Sequence, residues 1–158
     1  MIPTAAVDLG TTRFADLVHR VHSRRPEDPA DNAVCLRDAL ALWRGTALAG
    51  VPGPFADAQR DRLSQLHVAA GEEVVAADVR MGRYASALAD LTLLIAANPL
   101  RERLRELQML ALYRSGRQAD ALDAYDRVRR HLARELGIDP SRELQQLHQR
   151  ILTRVPCR

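Results

Sequence analysis

Apolar residues recur at helical spacing along most of the chain. Phe14, Leu17, Val18 and Val21 follow the i, i+3, i+4, i+7 spacing that places side chains on one face of a helix. This stripe predicts a first helix over about 12–24. The same periodicity predicts later helices over about 30–43, 56–81, 84–97, 100–115, 118–136 and 141–153. Residues 1–10 lack this periodicity and are interpreted as the remnant of a link to a preceding domain, so the helical domain is expected over 11–155.

Glycine and proline predict where these helices end. Gly82, Gly116 and Gly137 each follow a periodic stretch, as C-terminal capping glycines do. Asn98-Pro99 and Asp139-Pro140 are expected to cap and begin the helices that follow them. The segment 44–55 holds three glycines and two prolines, which predicts a loop anchored by Leu48, Val51 and Phe55.

The composition favours an all-α fold. Apolar residues make up 47% of the 158 residues and aromatic residues only 4%, so alanine, leucine and valine must build the core. Valine, isoleucine and threonine are too sparse for a sizeable sheet. On the helix predicted over 30–43 we expect Val34, Leu36, Ala39, Leu40 and Trp43 to be buried, with Trp43 as the largest packing residue.

A repeat of 34 residues defines the architecture. The stretch GRYASAL at 82–88 recurs as GRQADAL at 116–122, and 34 residues is the period of tetratricopeptide (TPR) helical hairpins. The predicted fold is therefore a TPR-like α-solenoid of antiparallel helical hairpins. The TPR frame assigns packing positions to Ala87, Leu91, Ala121 and Tyr125, and the two alanines are expected to let adjacent helices approach closely.

The same frame predicts a groove for a protein partner. First helices of TPR hairpins line the concave surface, and the positions that face it mix carboxylates, arginines and an aromatic ring, as protein interfaces do. These predicted groove residues are Glu72, Arg80, Arg103, Glu106, Tyr113 and Arg114. The alternative for Tyr113 is that it packs against the next helix.

Charge does not indicate a dedicated nucleic-acid binder. All 23 basic side chains are arginine, and the net charge is only +3. Residues 1–100 hold 10 Arg and 12 acidic residues, a net of −2, whereas residues 101–158 hold 13 and 8, a net of +5. Arg127, Arg130 and Arg134 share a helix face, where Asp123–Arg127 and Asp126–Arg130 pairs are available. A solvated, self-neutralised face is favoured over a phosphate-binding one.

Motifs of catalysis and cofactor binding are absent from the sequence. His19 and His22 have no nearby third or fourth metal ligand, so solvated histidines are expected and no metal site is predicted. Cys35 is interpreted as a small buried residue. No phosphate-binding glycine loop is present. We therefore predict a protein that is not an enzyme and needs no cofactor. Without a signal segment or an apolar run of membrane-spanning length, the expected location is the cytoplasm.

With the repeats placed, three stretches resemble a known family: LWRGTALAGV, PFADAQRDRLSQL and the run from NPLRERL through LGIDPSRELQQLHQRIL. They are similar to the bacterial transcriptional activator domain of SARP-type regulators of antibiotic biosynthesis, over roughly 7–153. The resemblance implies a TPR-like helical domain that follows a winged-helix DNA-binding domain. No strand-rich basic segment precedes Phe14, so any DNA contact is expected to need a winged helix absent from this chain.

Three functions of different classes follow. The resemblance implies the regulatory domain of a transcriptional activator, which acts through self-association and contact with RNA polymerase holoenzyme. The second is a stand-alone TPR-like adaptor whose groove captures an acidic or mixed-charge peptide. The third is nonspecific nucleic-acid binding by residues 101–158, which would weaken steeply as the salt concentration rises.

Overall fold

A computed structural model describes residues 4–23, 29–43 and 52–153. Its helices are α1 Thr4–Ser23, α2 Pro29–Ala41, α3 Pro54–Arg80, α4 Tyr84–Ala97, α5 Glu102–Arg114, α6 Gln118–Leu136 and α7 Arg142–Leu152. These described ranges contain helices and turns but no strand, which confirms the all-α prediction. The bounds of α4 and α6 match the sequence prediction residue for residue.

The chain divides into two compact units, Met1–Ala77 and Asp78–Arg158. In the first unit, α1 packs on α2. The stripe predicted on α1 is its buried face, since Phe14, Val18 and Val21 lie in a core cluster with Leu36 and Ala39 of α2 and with Ala70 and Val74 of α3. Burial of these apolar side chains stabilises the unit.

The second unit holds α4 to α7, and successive helices pack against each other. Its core cluster combines one face from each of α5, α6 and α7: Met109, Leu112, Ala121, Ala124, Tyr125, Val128, Leu132, Leu144 and Ile151. α7 also packs against α5. The helices therefore form the antiparallel hairpins that the 34-residue period predicted.

The repeat is visible in the turns that end its helices. Gly82 has φ of 76° and Gly116 has φ of 82°. In the first turn the N–H of Arg83 donates to the carbonyl of Asp78 at 2.8 Å, and in the second the N–H of Arg117 donates to Leu112 at 2.8 Å. These are Schellman bonds, and they recur at the same offset as the sequence repeat.

Gly116→Ala is expected to lower the free energy of unfolding by about 1 kcal/mol, because a left-handed backbone conformation is costly for any residue with a Cβ. An added Cβ would meet no atom within 4 Å, so the cost comes from the backbone alone. Urea denaturation measures it. Gly116→Asn is the matched control, since asparagine tolerates this conformation better. If alanine costs no more than asparagine, backbone strain does not explain the glycine.

Several predicted helix ends were wrong. α1 begins at Thr4 and not near residue 12: Ala5 and Ala6 are strong helix formers, and helix propensity does not require an apolar stripe. Asn98 does not cap α5. It closes α4, and its Nδ2 donates to the carbonyl of Leu94 at 3.0 Å. At α7 the N-cap is Ser141, whose Oγ accepts from the N–H of Leu144, and not Asp139.

The predicted buried face of the second helix was partly wrong. Ala33, Leu36 and Ala39 are buried, whereas Val34 and Cys35 are exposed. The helix is rotated relative to the expected face, because burial follows contact with α1 and not side-chain size. Phe55 lies in the first turn of α3 and is 78% exposed, so it is no loop anchor. Leu48 and Val51 fall outside the described residues.

Candidate partner-binding groove

In the second unit, α5 and α7 lie side by side and run in the same direction. At their first turns the N–H of Ser141 donates to Oε2 of Glu102 at 2.7 Å. At the other end of α7, Nε2 of Gln118 donates to the carbonyl of Ile151 at 2.8 Å. These two bonds fix α7 in register with α5, at one end directly and at the other through α6.

A groove of about 300 Å³ runs between α5 and α7. We call it the α5–α7 groove, and it is lined by Arg103, Glu106, Leu107 and Leu110 of α5 and by Glu143, Gln146, Leu147 and Arg150 of α7. Each helix supplies leucine side chains together with one arginine and one glutamate. The groove therefore combines apolar surface with balanced charge, a composition suited to a peptide segment of mixed character.

Arg103 and Glu106 already pair with each other. Nη1 of Arg103 lies 2.8 Å from Oε2 of Glu106, one helical turn away, and the arginine side chain is 54% exposed. An exposed pair of this kind contributes well under 1 kcal/mol. A partner could replace it at little cost, so the pair does not close the groove.

The other predicted groove residues lie elsewhere. Tyr113 is half-buried and packs against the core cluster of the second unit, and neither it nor the half-buried Arg114 lines the α5–α7 groove. Arg80 is exposed at the end of α3, and Glu72 belongs to the first unit. The structure thus brings together Arg103 and Glu106 of the predicted set, with Leu110 between α5 and α7.

Sequence reasoning missed the α7 side of this groove. The TPR frame ends at residue 135, and α7 begins at Arg142, later than a strict repeat would place it. The signal that was present is the amphipathic pattern of α7 itself, which buries Leu144 and Ile151 and leaves charged residues on its other faces. Treating α7 as the first helix of a third hairpin would have added Glu143 and Arg150.

The residues assigned to packing are placed as follows. Ala87, Leu91 and Ala121 are fully buried. Tyr125 is buried, and its ring stacks on His148 with centroids 3.8 Å apart and planes 7° apart. Burial raises the pKa of Tyr125 and lowers the pKa of His148.

In the first unit, Trp43 is half-buried and makes an edge contact with Phe14, with ring centroids 5.1 Å apart. Its other aromatic neighbour is His67, at 4.6 Å. Burial lowers the pKa of His67, so the neutral imidazole is favoured beside the indole. The three rings join α1, the end of α2 and α3.

The arginine face of α6 is organised differently from the prediction. Neither Asp123–Arg127 nor Asp126–Arg130 forms an ion pair. Asp126 instead lies 3.9 Å from Nη2 of Arg129. The i, i+3 partner takes the carboxylate, and Arg127 has no ion pair among the described residues.

Histidine and membrane predictions were also compared with the structure. Nε2 of His22 lies 2.7 Å from Oε1 of Glu73, so this histidine has a carboxylate partner on α3. Within the described ranges, no three His, Cys, Asp or Glu side chains group closely enough to hold a metal ion. None of the described helices is both long and apolar enough to cross a membrane.

Residues 7–152 match the family of the bacterial transcriptional activator domain. The chain is 52% identical over 149 residues to the regulatory protein AfsR of Streptomyces griseus, covering 94% of this chain and 15% of AfsR. It is 39% identical over 150 residues to the transcriptional regulator RedD of Streptomyces coelicolor, covering 91% and 41%. It therefore spans less than half the length of each relative.

A solved structure gives the same fold. The structure of Mycobacterium tuberculosis EmbR in complex with a low-affinity phosphopeptide superposes with a TM-score of 0.85 and 34% identity. The match covers 94% of this chain and 40% of the EmbR chain. The similarity thus extends over both units of the chain.

Proposed function

Because this chain belongs to the bacterial transcriptional activator domain family, we propose that it is the regulatory domain of a transcriptional activator. It acts through contacts with other proteins, and DNA is read by a separate domain. The names of AfsR and RedD, both regulators, support this role.

The partners we propose are RNA polymerase holoenzyme and a second copy of the chain. The family resemblance motivates both. The observation that carries a protein partner is the α5–α7 groove, in which leucines lie between an arginine and a glutamate on each side. A segment with an apolar side chain flanked by charges would bury the leucines and pair with Arg103 and Arg150.

The role is tested by fusing residues 1–158 to an unrelated DNA-binding domain and placing its operator upstream of a reporter gene. The fusion is expected to raise transcription above the DNA-binding domain alone. Arg103→Glu and Arg150→Glu should each remove most of that increase, because they reverse charge on opposite walls of the groove. Reporter output is measured at matched fusion levels.

Arg130→Glu is the control, since it makes the same charge change on the exposed face of α6, outside the groove. It should leave activation unchanged. Equal melting temperatures would show that all three variants fold alike. A fusion that never activates contradicts the regulatory role, while activation that Arg103→Glu and Arg150→Glu leave intact contradicts the groove as its contact surface.

The alternative is a peptide-binding adaptor that does not activate transcription. The same groove favours it, because mixed charge around leucines suits a peptide as well as a folded partner. EmbR was solved with a phosphopeptide, which agrees with protein partners for the family. An inactive fusion that still binds a peptide, with binding lost in Arg103→Glu, would identify the adaptor.

A further inference from the structure

Arg105 of α5 has an unusual environment. The side chain is half-buried, and its Nε atom is fully buried without a hydrogen-bond partner among the described residues. The bond from its Nη1 to Oε1 of Gln108 is long, at 3.4 Å. A buried N–H without an acceptor destabilises a fold, so the position is unfavourable unless an acceptor arrives from outside the chain.

Arg105 lies against a cavity of about 250 Å³ between α4, α5 and α6. We call this cavity the Arg105 pocket; its polar lining includes Arg105, Gln108, Arg117, Asp120, Asp123 and Arg127. All these residues belong to the second unit. The pocket is separate from the α5–α7 groove, with which it shares no lining residue.

The charges in the Arg105 pocket favour an anion. Arg117 and Asp120 neutralise each other, with Nε and Oδ2 2.7 Å apart. Two arginines then remain against one carboxylate, Asp123. Burial and repulsion by Arg127 both lower the pKa of Arg105, so the two guanidinium groups are close enough to oppose each other.

We propose that the Arg105 pocket binds a phosphate group. A guanidinium presents parallel N–H donors that match two oxygens of an oxyanion, and the unpartnered Nε–H is one arm of that fork. Arg127 supplies the second cation, and a bound dianion would replace the repulsion between the arginines with attraction to both. Asp123 opposes the anion, and its repulsion limits the affinity.

Inorganic phosphate is the probe, added to the full chain at constant ionic strength. The ¹H–¹⁵N signal of the Arg105 Nε–H should shift and saturate, because this atom gains an acceptor. The signal is assigned by its loss in Arg105→Met. Arg127→Gln should weaken binding about tenfold, and Asp123→Asn should tighten it severalfold. Arg130→Gln, on the exposed face of α6, should bind as the parent does.

Chloride and acetate test which anion the pocket selects. Both should leave the Arg105 signal unmoved at concentrations at which phosphate saturates it. An Arg105 signal that phosphate does not move overturns the proposal. Equal saturation by acetate also overturns it, since the pocket would then recognise carboxylates and not phosphate.

A melting experiment separates a binding role from a structural one. Methionine keeps most of the aliphatic stem of Arg105 without the buried N–H, so Arg105→Met should melt at or above the parent in chloride. Phosphate should raise the melting temperature of the parent and of Arg130→Gln more than that of Arg105→Met, since general salt effects are common to all three. A large loss of stability in Arg105→Met with and without phosphate would mean that Arg105 serves folding alone.

Discussion

Leu132→Ala is expected to lower the free energy of unfolding of the second unit by about 2–5 kcal/mol. Leu132 is 1% exposed and belongs to the core cluster that joins α5, α6 and α7. Truncation removes buried apolar atoms and leaves a cavity that the surrounding helices fill only in part. Chemical denaturation followed by circular dichroism measures the loss.

Leu136→Ala is the matched control, one helical turn further along α6. Leu136 is 53% exposed, so the same substitution should change stability by no more than about 0.5 kcal/mol. The two variants share helix, residue type and propensity change, and burial is the main difference between them. If both cost the same, the core of the second unit is not where the structure places it.

The two ends of α7 illustrate what the sequence could and could not predict. Its apolar stripe was readable, since Leu144 and Ile151 recur at helical spacing and both are buried. Its N-cap was assigned to Asp139 and is Ser141. Both residues are good caps by local rules. The carboxylate of Glu102 accepts the Ser141 N–H at 2.7 Å across 39 residues of sequence, and no local pattern contains that contact.

The same reasoning applies to the candidate groove. The repeat placed Arg103 and Glu106 correctly on one face of α5, because the period of a helix fixes which residues share a face. It could not place the opposite wall, because α7 departs from the 34-residue spacing. Tyr113 was assigned to the groove by its frame position, but the structure packs it on the core cluster. Frame position alone does not tell which neighbour covers a side chain.

Ala121 of α6 offers the sharpest test of the repeat. It is fully buried in the core cluster of the second unit, and Ala87, 34 residues earlier, is fully buried on α4. We propose that both alanines are small because neighbouring helices approach closely there. Ala121→Leu adds three carbons to a packed core and should cost about 1–3 kcal/mol.

Ala119→Leu supplies the control, since Ala119 is exposed two residues earlier on α6 and leucine forms helix nearly as well as alanine. Its melting temperature should stay close to that of the parent. The loss for Ala121→Leu should be several degrees, because about 1 kcal/mol corresponds to roughly 2–4 °C in a chain of this size. If Ala121→Leu instead melts within about a degree of the parent, a figure well below that expected cost, the core has room at this position. Close helix approach then does not explain the repeated alanine, and the 34-residue register loses its physical basis.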